Sequence, residues 1–110
     1  LPLSEKVRIE IFIPDVPQFA YRDLLEELST ELTYAFGGCT QVSASGKYRS
    51  FDGLIVPDKI NILFCDVPLL WERDRLALGQ YVDRVRRAAE LALAREEVVL
   101  ISVHQVCHGE

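Results

Sequence analysis

The run F-G-G-C-T-Q-V-S-A-S-G-K-Y-R-S-F-D-G, Phe36 to Gly53, decides the fold, because it stops a long amphipathic helix and launches a hairpin in mid-chain. Gly37 and Gly38 stand where a helix leaves through a left-handed residue, a conformation glycine adopts without a Cβ clash. Thr40, Val42 and Ala44 then alternate with Gln41, Ser43 and Ser45, so a strand with one modestly apolar face begins at once. Gly46 interrupts the run and suggests a bulge or a close backbone approach before Tyr48. Asp52-Gly53 is the preferred dipeptide of a tight two-residue hairpin turn with positive φ at its centre. The return arm is Leu54 to Val56 and Lys59 to Cys65, with Pro57 between them implying an edge position or a kink.

Upstream, Val7 to Ile13 reads V-R-I-E-I-F-I, with Val7, Ile9, Ile11 and Ile13 on one side and Arg8, Glu10 and Phe12 on the other. That alternation predicts a half-buried strand. Pro14 and Pro17 end it, and Asp15 occupies the expected cap of the following helix, in whose first turn Pro17 is acceptable. From Tyr21 the apolar stripe runs through Leu24, Leu25, Leu28, Leu32, Ala35 and Phe36, opposite a solvated acidic face of Asp23, Glu26, Glu27 and Glu31. Downstream, I-N-I-L-F-C is nearly all apolar and predicts burial on both faces. A second helix is expected from about Leu70 to Arg95, with Leu78, Tyr81, Val82, Val85, Ala88, Ala89 and Ala92 inward and Gly79 tolerated at a close crossing. The last strand spans Val98 to Cys107.

The order strand, helix, strand, strand, helix, strand predicts an α+β, ferredoxin-like βαββαβ fold. Each helix returns the chain to a parallel neighbour in a four-stranded antiparallel sheet, with both helices on one face. No helix covers the other face, yet Phe12, Ile55, Leu63, Val99, Ile101 and Val103 supply apolar groups on one side or the other of the sheet. An uncovered patch of that kind predicts a homodimer or higher oligomer built through the sheet.

Residues 1–110 suffice for one core and are too few for two, so a single domain is expected. A net charge of -5 disfavours phosphate backbones and anionic lipid, which sets nucleic acid and membrane aside as partners. Cys39, Cys65 and Cys107 are odd in number and far apart, which argues against a secreted disulfide framework and for a reducing cytoplasm. The chain opens without a leader pattern and holds no apolar run near ~18 residues.

The helix exit Gly37, Gly38, Cys39, Thr40, followed by Gly46 and Tyr48, resembles that of small, poorly characterised bacterial proteins of ferredoxin-like type, in which a Gly-Gly-Cys-Thr exit leads to a Gly-x-Tyr step. The resemblance implies this architecture and brings no cofactor or established chemistry with it.

Four groups of residues are candidates for chemistry. His104, Cys107 and His108 suggest metal binding by spacing, but residues four apart on a strand lie ~13 Å from each other, so no metal site is assigned. Thr40, Ser43, Ser45, Lys47, Tyr48 and Arg49 form a polar strand face suited to a small anion. Its S-G-K string is not a nucleotide loop, since the upstream glycine, the hydroxyl residue and the following helix are missing. His104 with Tyr48, Asp66 or Glu10 suggests acid-base catalysis in a cofactor-free pocket over the sheet. The Arg84, Arg86 and Arg87 cluster, with Arg73 and Arg75 upstream, reads as a solvated helix face, because Asp83 and Glu90 lie four residues from Arg87 and Arg86. The function expected is therefore an oligomeric module that binds a small molecule or a protein, and the competing class is a small enzyme using His104 and Tyr48.

Overall fold

The alternation in V-R-I-E-I-F-I is realised as a strand whose every second residue is sealed: Val7, Ile9, Ile11 and Ile13 are at most 1% exposed. In the computed structural model, which describes residues 3–94 and 99–109, six elements follow one another along the chain. They are β1 (Leu3–Pro14), α1 (Phe19–Phe36), β2 (Thr40–Arg49), β3 (Ile55–Val67), α2 (Trp71–Ala92) and β4 (Leu100–Gly109). The sheet order is β2-β3-β1-β4, and every neighbouring pair is antiparallel. This is the ferredoxin-like βαββαβ fold. Each helix does return the chain to a parallel strand, but one position over rather than to a neighbour, because β3 lies between β1 and β2 and β1 between β3 and β4.

Both helices press on the face that carries Val7, Ile9, Ile11, Ile13, Leu63, Cys65 and Val67. α1 contributes Tyr21, Leu24, Leu28 and Leu32, and α2 contributes Leu78, Val85 and Ala89, four and three residues at helical spacing. Phe36 meets Tyr81 edge to face at 5.2 Å, joining the two helices. The expected stripes are thus narrower than their sequence spacing, with Ala35, Ala88 and Ala92 exposed. The segment I-N-I-L-F-C is sealed on the helix side only, at Asn61, Leu63 and Cys65, while Ile60, Ile62 and Phe64 are half-buried on the open side.

Several local expectations change. Asp15 does not cap α1; its backbone N–H bonds Lys59 O at 2.8 Å, and Gln18 takes the cap position with no side-chain bond. The β2–β3 ladder keeps one register from Thr40 to Arg49, so Gly46 makes no bulge. The hairpin turn is one residue longer than Asp52-Gly53 implies. Gly53 N–H bonds Ser50 O at 2.9 Å and Ser50 N–H bonds Leu54 O at 2.8 Å, and in this three-residue loop only Gly53 has positive φ, +89°. Pro57 sits inside a continuous β3, opposite Lys47, beyond the end of β1's pairing at Pro14–Ile60. The N–H it lacks would point where β1 is already finished, so Pro57 occupies a local edge of an inner strand. α2 stops at Ala92, and the expected limits at Arg95 and Val98 fall outside the described residues.

Candidate functional site

The uncovered face of the sheet is ordered in cross-strand rows set by the register. One row is apolar across all four strands: Leu100, Phe12, Ile62 and Val42. Beside it lie Pro14, Ile60 and Ala44, and on the other flank Ser102, Glu10, Phe64 and Thr40. The next row is charged, with His104 opposite Arg8 and Arg8 opposite Asp66.

Asp66 is the hub of that charged end. Arg8 donates to it through both Nε, at 2.7 Å, and a terminal nitrogen, at 2.9 Å, a fork on a carboxylate. His108 Nε2 lies 2.7 Å from the second carboxylate oxygen. The hydrogen bonds from Arg8 hold the Asp66 carboxyl down to about 2, with His108 adding to the effect against the opposing cost of burial. Arg8 is raised in turn by its bond to Asp66, and its guanidinium lies 4.6 Å over the Phe64 ring. His104 Nδ1 approaches Glu10 at 3.4 Å. Arg8, Asp66, His108, His104 and Glu10 therefore already have partners within the chain.

A hollow of about 320 Å³ opens where α1 hands over to β2, lined by Phe36, Gly37, Gly38, Cys39, Thr40, Phe64, Cys65 and Asp66. Its origin is in the ladder. The Asp15–Lys59 bond assigns the odd residues of β3 to β1, and the Ser50–Leu54 bond assigns the even ones to β2. The last β2 pair is Thr40–Phe64, so the next even residue, Asp66, turns its backbone N–H and C=O toward the hollow, beyond the reach of that ladder. Gly37 leaves the helix with φ +86° and its N–H on Thr33 O at 2.8 Å. A donor and an acceptor side by side on a strand edge, in a hollow of this size, suit the edge of an amide or a flat heterocycle.

The sequence-derived candidates divide. Thr40 lines the hollow, and Asp66, Glu10 and His104 share the charged end of the open face. Lys47, Tyr48 and Arg49 sit far along the hairpin, opposite Pro57, Val56 and Ile55. Ten residues of β3 separate the Asp66 row of His104 from the Val56 row of Tyr48, ~33 Å of strand. One chain therefore does not bring His104 and Tyr48 to a common point, because the hairpin carries Tyr48 away along the strand axis. Ser43 reaches Asn61 at 3.4 Å on the helix side of the sheet. His104 and His108 share the open face with separate carboxylates, whereas Cys107 is on the other side. Among the described residues no group of three His, Cys, Asp or Glu side chains is placed to hold a metal. In the arginine cluster Arg86 takes both Asp83, at 3.0 Å, and Glu90, at 3.8 Å, while Arg84 lies over Tyr81. Arg8 and the free strand edge at Asp66 were missed in the sequence. Arg8 was legible only as the outward residue of an alternating strand, and the edge depends on where pairing stops.

Comparison with known proteins finds no matching family model and no matching curated protein. Solved structures do match in fold. A nitrogen regulatory PII-like protein from Thiomonas intermedia K12, bound to ADP, AMP and bicarbonate, is 17% identical with a TM-score of 0.52, the match covering 99% of this chain and 98% of that one. A phage SAM lyase in complex with S-methyl-5'-thioadenosine is 12% identical with a TM-score of 0.58, over 96% of this chain and 90% of that one.

Proposed function

We propose that the protein is an oligomeric regulatory module that binds a small adenosine-bearing ligand in the hollow at the α1 exit. The observation that carries this reading is the edge at Asp66, where a backbone donor and acceptor face a hollow bounded by two glycines and Thr40. Such a pair suits the edge of a purine, and both fold neighbours hold adenosine compounds, ADP with AMP in one and S-methyl-5'-thioadenosine in the other. A second copy of the chain covers the open face. The row Leu100, Phe12, Ile62 and Val42 supplies its apolar contact, and the internal pairing of Arg8, Asp66, His108, His104 and Glu10 lowers the cost of taking charge out of water. The hairpin arm is a second surface, open to a protein partner or an anionic group. It displays Lys47 and Arg49 beside exposed Tyr48, Phe51, Leu54 and Ile55.

The test is calorimetric titration with ADP, AMP and S-methyl-5'-thioadenosine, with sedimentation of the same samples. Micromolar binding of at least one of them is expected, weakened ~5–10-fold by Thr40→Ala through loss of about one hydrogen bond, and unchanged by Tyr48→Ala. Absence of binding by all three, or a monomer at micromolar concentration, overturns the corresponding half of the reading.

A further inference from the structure

The hollow also has two cysteines, Cys39 and Cys65, in its lining. Thr40 faces Phe64 in the last pair of the ladder, and continuing that register by one step would bring Cys39, whose thiol donates to Thr40 O at 3.8 Å, across from Cys65. Even residues of β3 carry the bonds to β2, which makes the Cys39–Cys65 position a non-hydrogen-bonded one. At such positions Cα atoms approach to ~4.5 Å and side chains lean together. A disulfide asks for Cα atoms ~4.4–6.8 Å apart. Both side chains fall on the helix side of the sheet: Cys65 is 6% exposed within the core, and half-buried Cys39 packs against that core. Both line the hollow, which gives Cys39 a path to small molecules in solvent.

We propose that Cys39 and Cys65 are a redox pair whose disulfide closes the hollow. The oxidant is a low-molecular-weight disulfide. The Cys39 thiolate attacks one of its sulfurs and expels one thiol, and the Cys65 thiolate then attacks Cys39 Sγ and expels the second. One S–S bond forms in the protein and one breaks in the oxidant, which takes up the two electrons and two protons and leaves as two thiols. The bridge extends the β2–β3 ladder by the Cys39–Cys65 position and draws Gly38 opposite Asp66, so that the backbone N–H and C=O of Asp66 become paired. Control of the ligand by this closure rests on the reading of the hollow given above, whereas formation of the bridge does not. Burial pushes the Cys65 thiol up to about 11 and also raises Cys39. Bridge formation therefore speeds up with rising pH, because only the thiolate attacks.

The experiment uses the Cys107→Ser chain, which removes the exposed third thiol. It is incubated with oxidised glutathione at pH 8.5 and mapped by peptide mass spectrometry. A Cys39–Cys65 crosslink within one chain, reversed by dithiothreitol and absent after Cys39→Ser or Cys65→Ser, is expected. Glutathione remaining on Cys39 with Cys65 free, or crosslinks only between chains, overturns the pair. ADP is then titrated into the reduced and oxidised forms, and at least fivefold weaker binding by the oxidised form is expected. Equal affinities overturn the closure, whereas no binding by the reduced form counts against the ligand reading and leaves the crosslink result standing.

Discussion

Asp66→Asn removes the one carboxylate that holds both Arg8 and His108, and its effect on stability follows from the geometry. In the folded chain the carboxyl titrates at about 2 against an ordinary 3.8, with the Arg8 hydrogen bonds as the largest cause. That difference corresponds to roughly 2.5 kcal/mol at ~1.4 kcal/mol per pH unit. The Asp66 side chain is 14% exposed and Arg8 32%, so solvent screening reduces the figure to about 1.5 kcal/mol. The unfolded chain takes up this proton near 3.8 and the native chain only near 2. The stabilisation is therefore complete above 3.8, shrinks as pH falls between the two values, and is gone below about 2. Urea unfolding followed by circular dichroism, at one protein concentration, should show the parent more stable than Asp66→Asn by about 1.5 kcal/mol at pH 6. The two should converge toward pH 2. A difference under ~0.5 kcal/mol at pH 6, or one that stays constant down to pH 2.5, refutes the assignment of Asp66 as an ionised hub.

Ile11→Ala, at a fully buried site of a central strand, should lower stability by about 3–4 kcal/mol in the same urea assay, and a loss under ~1 kcal/mol would show that the face below the helices is not close-packed. Gly37→Ala has open space for its methyl group but must hold φ +86°, so it should cost about 1 kcal/mol and lower the melting temperature by several degrees, while an unchanged melting temperature would contradict the left-handed exit.

The covered face of the sheet was readable in V-R-I-E-I-F-I because alternation in a strand is a local property, and Ile9 faces the core whichever strand lies beside it. Element order was readable for the same reason, since Gly37-Gly38 ends a helix through φ alone. The site was not. His104, Glu10 and Asp66 share a face, as their parity allowed, but whether Tyr48 joins them depends on how far the hairpin carries it, and the ladder carries it ~33 Å away.

What the sequence by itself determined is therefore the kind and order of elements and the side of each strand that is apolar, because steric preferences and side-chain period act within a few residues. Only the tertiary structure decided that pairing stops at Thr40–Phe64 and that Arg8 and His108 converge on Asp66. Those are facts of register between segments distant in the chain, and register is set by the joint packing of all four strands against two helices, not by any one of them.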